Sequence, residues 1–146
     1  MGYSKWKKIT EPSYCNEPAV YKIRLKDNEG SVVSLNRFLG KDEKGILCIG
    51  STKNMEIRRK KFVRGIQHGT THSEAKLIYL IKTCCKKFQE NYAEPKYEYS
   101  FEKVLTKEEA ERKEVQLIKD YIKQYGEAPP FNSAIPKRFD REGWIN

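Results

Sequence analysis

A chain of 146 residues is long enough for one domain with one buried core. Its 29 Lys and Arg against 20 Asp and Glu leave a net charge of +9, which favours polyanionic partners: DNA, RNA or an anionic membrane surface. No run approaches the ~18–20 apolar residues of a bilayer span, and Met1 to Thr10 is polar and basic without the apolar stretch of a secretory signal, so a cytoplasmic protein that makes no membrane contact is expected.

Residues 1–18 carry Pro12 and Pro18 and no periodicity, and read as an irregular arm tacked to the body by Tyr3 and Trp6. Residues 19–26 alternate, Tyr21, Ile23 and Leu25 against Val20, Lys22 and Arg24, which predicts a strand with one buried face. Asp27-Asn28-Glu29-Gly30 is a turn signal. A returning strand over Ser31–Leu35, a loop over Asn36–Lys44 and a short strand over Ile46–Ile49 stopped by Gly50 are expected next. Asn54, followed by Glu56, caps a helix running to about Gln67. A second helix is expected from about Ser73 to Phe88, with Leu77, Ile78, Ile81, Cys84, Cys85 and Phe88 at core spacing. Residues 96–104 alternate as a strand, Tyr97, Tyr99 and Phe101 on one side. Thr106 with Glu109 forms a capping box that opens a third helix to about Tyr125, closed by Gly126. Pro129-Pro130 sets an extended exit towards Asn132, and residues 133–146 form a tail. The four cysteines, Cys15, Cys48, Cys84 and Cys85, lack C-x-x-C spacing and read as reduced thiols. The string is an α/β (α+β) domain over 1–146: a small, mainly antiparallel sheet of three core strands plus a possible hairpin insertion, flanked by three or more helices.

Two charged positions stand out. Glu114 follows Ala110 by four and precedes Leu117 and Ile118 by three and four, so it lies on or beside the apolar stripe of the third helix. A carboxylate taken out of water is paired or metal-bound, unless it sits at the stripe's edge and reaches solvent. On the first helix Arg58 and Arg59 are about equally well placed to turn inward, and periodicity does not choose between them. The rest of that basic run, Lys60, Lys61 and Arg64, is a solvated face or a phosphate-facing one.

Ala19-Val20-Tyr21, Cys48-Ile49-Gly50, Arg58, Glu114 and Asn132 occur in an order and spacing that resemble the GIY-YIG endonuclease family over about residues 19–132. Val20-Tyr21 corresponds to the end of the first name-giving tripeptide and Cys48-Ile49-Gly50 to the second. Arg58 corresponds to the helix arginine, Glu114 to the metal-binding glutamate and Asn132 to the closing asparagine. His72-Ser73 resembles a histidine-serine pair of some members. The longer segment between the tripeptides is similar to the hairpin insertion of restriction-type members. The chain departs from the pattern at Ala19, where glycine is usual, at Cys48, where tyrosine is usual, and at Phe62, where several nucleases have histidine.

The resemblance implies hydrolysis of DNA phosphodiester bonds assisted by Mg²⁺ or Mn²⁺. Tyr21 would act as general base or position the water, Arg58 would neutralise phosphate charge with its planar fork, and Glu114 would be the metal ligand. Cys48 stands at a site position, His72 is a secondary candidate for proton transfer or phosphate binding, and Gly50 and Asn132 support the site, with Tyr79 in a supporting place. Lys53, Arg59, Lys60, Lys61 and Arg64, with Lys7-Lys8 and Lys86-Lys87, would contact the DNA backbone without reading sequence, and RNA fits the same charge pattern. One such site cuts one strand, so a double-strand break would need a homodimer or repeated action. The departures at Cys48 and Phe62 support the other reading, a catalytically impaired DNA- or RNA-binding module. In a third, the chain is an interaction domain and its charge serves solubility alone.

Overall fold

The computed structural model describes residues 2–69, 73–85 and 96–132. The alternating run Ala19–Leu25 becomes the central strand β2. It pairs antiparallel with β5 (Ile46–Thr52) on one side and with β6 (Tyr97–Lys103) on the other, and a two-residue β1 (Lys7–Lys8) joins the free side of β6. The four-stranded order is β1-β6-β2-β5. A separate hairpin, β3 (Leu35–Arg37) with β4 (Gly40–Asp42), fills most of the segment that the sequence presents as a loop. Three helices accompany the sheets among the described residues: α1 (Met55–His68), α2 (Ser73–Cys84) and α3 (Lys107–Tyr125). This is a mixed α+β fold. Among the described residues no helix is long and apolar enough to cross a membrane.

Both faces of β2 are covered, where alternation alone suggests one. Ala19, Tyr21, Ile23 and Leu25 form one core with Met55, Phe62 and Ile66 of α1 and Ala75 and Ile78 of α2. Val20, on the opposite face, packs with Ile46 and Ile49 of β5 and Val115 and Ile118 of α3. Lys22 and Arg24 share that second face and escape full burial of bare charge by lying on aromatic rings. The Lys22 ammonium is 4.3 Å from the Tyr3 ring centre and the Arg24 guanidinium 4.1 Å from that of Trp6. Tyr3 and Trp6 thus tack the arm down, as their isolation in a polar segment suggests. The register shifts between Ile23 and Arg24, which pair with Cys48 and Ile46. Leu47 is the extra residue of this bulge, which reverses the alternation of β5 and explains its unbroken apolar run.

Local signals account for the helix ends. The Asn54 side chain accepts a hydrogen bond from Ile57 N, and Thr106 accepts one from Glu109 N while the Glu109 carboxylate accepts from Leu105 N. Gly69 and Gly126 close α1 and α3 in the left-handed conformation, φ 70° and 78°.

Four further readings change. The arm is not irregular throughout: Lys7–Lys8 pairs with Glu98 and Tyr99, too short a match for periodicity to register. The returning strand at Ser31–Leu35 reduces to a bridge, Lys26 to Val32, and a hydrogen bond from Val33 N to Leu25 O, with Leu35 opening β3. Gly50 lies inside β5 and does not stop it. Cys84 is exposed, as is Cys85, because α2 ends there and buries Ala75 and Ile78 instead. His72, Lys86, Lys87 and Phe88 lie outside the described residues.

Candidate functional site

The hydrogen-bonded core of β2 and β5 sets Tyr21 directly opposite Gly50 and Val20 opposite Ser51. With no side chain on Gly50, the Tyr21 ring lies across β5, the outermost strand. A Cβ at position 50 would fall 2.4 Å from the Tyr21 hydroxyl and 2.5 Å from Cζ. Glycine is therefore required here for close approach, not for a turn. Tyr21 is itself 2 % exposed. Cys48, opposite Ile23 on the same face, is buried too.

Glu114 approaches β5 from α3. It belongs to the buried stripe with Ala110, Val115 and Ile118, and the Ser51 hydroxyl donates to its Oε1 at 2.8 Å. That resolves the question left by periodicity: the acid is on the stripe, and its burial is supported by a hydrogen bond. Ser51 has no signal in the sequence. Only the pairing of β2 with β5 reveals it, by putting residue 51 on the α3 face. Tyr21 and Glu114 thus come to consecutive residues of one edge strand from its two faces. Successive residues of a strand point to opposite sides, so the two groups do not share one face of β5.

Asn132 closes the rim of the same strand. Its Oδ1 accepts from Ile49 N at 3.0 Å, its Nδ2 donates to Ile49 O at 2.9 Å, and Phe131 N donates to Leu47 O at 2.8 Å. The side-chain amide thereby stands in for the neighbour strand that β5 lacks among the described residues. Asn132→Ala removes both bonds and leaves an edge amide without its partner. A loss of about 1–3 kcal/mol in denaturant unfolding is expected, together with faster exchange of the Ile49 amide hydrogen.

The chain leaves β5 at Thr52 and enters α1 through Asn54, which puts Lys53 and Arg58 close after the strand. Of the two inward candidates, Arg59 is the buried one. Its guanidinium is engaged by the Glu56 carboxylate and by Ile9 O at 3.0 Å. The DNA-contact role expected of Arg59 is corrected accordingly: it clamps the arm to α1. Ser13 donates to Glu56 from both its amide and its hydroxyl at 2.8 Å. The first amides of α1, Met55 N and Glu56 N, donate to Glu17 O and Cys15 O, so the arm also satisfies the helix's open N-terminus. Arg58 is half-buried, and Lys53, Lys60, Lys61 and Arg64 are exposed. Among the described residues none of these five has an acid partner, and the lone acid of α1, Glu56, is committed to Arg59. Tyr79 supports the far end of α1, its ring filling the space beside Gly69. Phe62 is 1 % exposed in the core.

The Arg59 hydrogen bond, aided by those from Ser13 and opposed by burial, holds Glu56 down to about 2 from a usual 4.5. A depressed carboxylate stabilises the fold above its ordinary value, and that contribution is lost as pH falls through the folded one. Stability is therefore expected to drop between about pH 4.5 and pH 2, by on the order of 2 kcal/mol after allowance for screening. Thermal melts of wild type and Glu56→Gln should differ above this window and converge below it.

A second buried carboxylate, Asp42, is structural. It accepts from Lys44 N, Gly45 N and Ile46 N and from the Tyr121 hydroxyl at 2.8 Å, tying the hairpin to α3. Burial, with Asp42 beside it, pushes the Tyr121 hydroxyl far above its usual range. Among the described residues no group of three or more His, Cys, Asp or Glu is arranged to hold a metal ion. No protein-family model, curated protein or solved structure matches the chain.

Proposed function

We propose that this protein is a divalent-metal-dependent endonuclease of the GIY-YIG type that hydrolyses DNA phosphodiester bonds. The observation that carries the reading is the convergence on β5: the Tyr21 phenol over Gly50 and the Glu114 carboxylate on Ser51, with the basic row of α1 following in the chain.

The donor set fits a hard cation that keeps most of its waters. Mg²⁺ is commonly held by one or two carboxylates plus substrate phosphate, and Glu114, steadied by Ser51, offers one. Bound there, Mg²⁺ or Mn²⁺ would supply charge neutralisation at the scissile phosphate and the leaving oxygen. Arg58, free of a carboxylate partner among the described residues, presents a fork to the phosphate oxygens. Lys53, Lys60, Lys61 and Arg64 hold the flanking backbone. Tyr21 orients the attacking water and, as the phenolate left after its own proton passes to solvent, takes the water's proton; a phenol, ordinarily protonated at neutral pH, needs a neighbouring cation to reach that form. The Ser51 hydroxyl fixes the carboxylate rotamer before substrate arrives.

The test is incubation of the purified protein with supercoiled DNA in Mg²⁺, Mn²⁺ and EDTA. Metal-dependent nicking is expected, and nicking in EDTA would contradict the reading. A second reading, a nucleic-acid-binding module without cleavage, is favoured by Cys48 and Phe62, both 1 % exposed in the apolar core where a nuclease of this type has polar groups. It predicts salt-sensitive binding and no product in any metal, with nicking gained in Cys48→Tyr/Phe62→His.

A further inference from the structure

Tyr14 is the only non-glycine residue with positive φ among the described residues, at 55°, and the residue is 86 % exposed. A bulky side chain held in the left-handed region is strained, and such strain persists only where the surroundings enforce it. Here both flanks are fixed. Ser13 is bonded to Glu56 through amide and hydroxyl, Cys15 N donates to the Ser13 hydroxyl at 3.2 Å, and Cys15 O accepts from Glu56 N. The Glu56–Arg59 pair anchors all of this to the first turn of α1. The segment spends strain to hold an aromatic ring out in water, at the end of α1 where the basic row begins. Lys7 adds a further cation, its ammonium 5.5 Å from the ring centre. Hydrophobic burial does not account for a ring this exposed, and the αL backbone would suit glycine better.

An exposed, preorganised aromatic beside unpaired cations is the arrangement that binds single-stranded nucleic acid: cations track the backbone and the ring stacks on a base. We propose that Tyr14 stacks on an unpaired base, so that the substrate of this protein contains a single-stranded segment lying across the arm and the start of α1. This inference rests on the nucleic-acid-binding part of the functional reading above and narrows it to DNA with a gap, flap or unwound end.

The test uses the full chain and its Tyr14→Gly and Tyr14→Trp variants, titrated with a labelled oligo-dT and with a blunt duplex of equal length at one salt concentration. Glycine takes positive φ without strain, so Tyr14→Gly is expected to melt no lower than wild type. It is nonetheless expected to bind oligo-dT about tenfold more weakly and the duplex unchanged. Tyr14→Trp is expected to keep its affinity for oligo-dT and to show quenched tryptophan fluorescence on binding. Equal oligo-dT affinity of Tyr14→Gly and wild type, or equal losses on both DNAs, would overturn the proposal. Metal-dependent nicking, measured on the same preparations, separates the two claims. Unchanged oligo-dT binding with nicking intact removes only the stacking role, whereas absence of binding to either DNA by wild type removes the stacking role and the nuclease reading together.

Discussion

Glu114→Gln is expected to remove metal-dependent nicking of supercoiled DNA, by on the order of 100-fold or more, the scale for deleting a group that stabilises developing charge. The substitution keeps size and keeps an oxygen for the Ser51 hydroxyl, so the α3–β5 contact survives and the melting temperature should change little. The substitution removes the charge and turns one carboxylate oxygen into an amide nitrogen. Gel separation of nicked from supercoiled plasmid, in Mg²⁺ and in Mn²⁺, reads the effect directly. Ser51→Ala takes away the hydrogen bond but not the charge. It should therefore cost less than Glu114→Gln, and its defect should shrink at high metal concentration.

Gly50→Ala has the largest expected effect on the framework. The new methyl would sit 2.4 Å from the Tyr21 hydroxyl and 2.5 Å from Cζ, distances that no packing tolerates. The tyrosine, opposite Gly50 in register and almost wholly buried, must rotate or β5 must move. Overpacking of this kind costs about 1–3 kcal/mol, or roughly 2–4 °C of melting temperature per kcal/mol at this size. Nicking should fall together with stability, because the displaced group is the one assigned to the water. Tyr21→Phe provides the control: it keeps the ring that Gly50 admits, removes only the hydroxyl, and should lower nicking without the clash. A Gly50→Ala protein as stable and as active as wild type would show that Tyr21 is not laid across β5.

What the sequence disclosed was mostly local. Asn54, Thr106 with Glu109, and Gly126 signal their helix ends through contacts within a few residues, and each cap forms as read. The alternation of β2 and β6 is legible for the same reason. Long-range partners were not. Arg58 and Arg59 are equivalent to periodicity, and what separates them is Ile9 O and the Ser13–Glu56 contact, which are distant in the chain. Gly50 reads as a strand stop because glycine usually ends strands, while its purpose is to admit a tyrosine from the neighbouring strand. Ser51 and Asp42 gain meaning only from α3, which brings Glu114 to one and Tyr121 to the other. A hairpin insertion is expected between the two tripeptides, but Asn36–Lys44 reads as loop because the strands of β3–β4 span three residues each, shorter than any periodic signal.

Anomalous scattering from crystals grown with Mn²⁺ and a short DNA duplex bears most directly on the nuclease assignment. The account predicts one strong peak within bonding distance of a Glu114 carboxylate oxygen, with a DNA phosphate between that peak and Arg58. A peak bound elsewhere, or DNA seated away from β5 and α1, would contradict it.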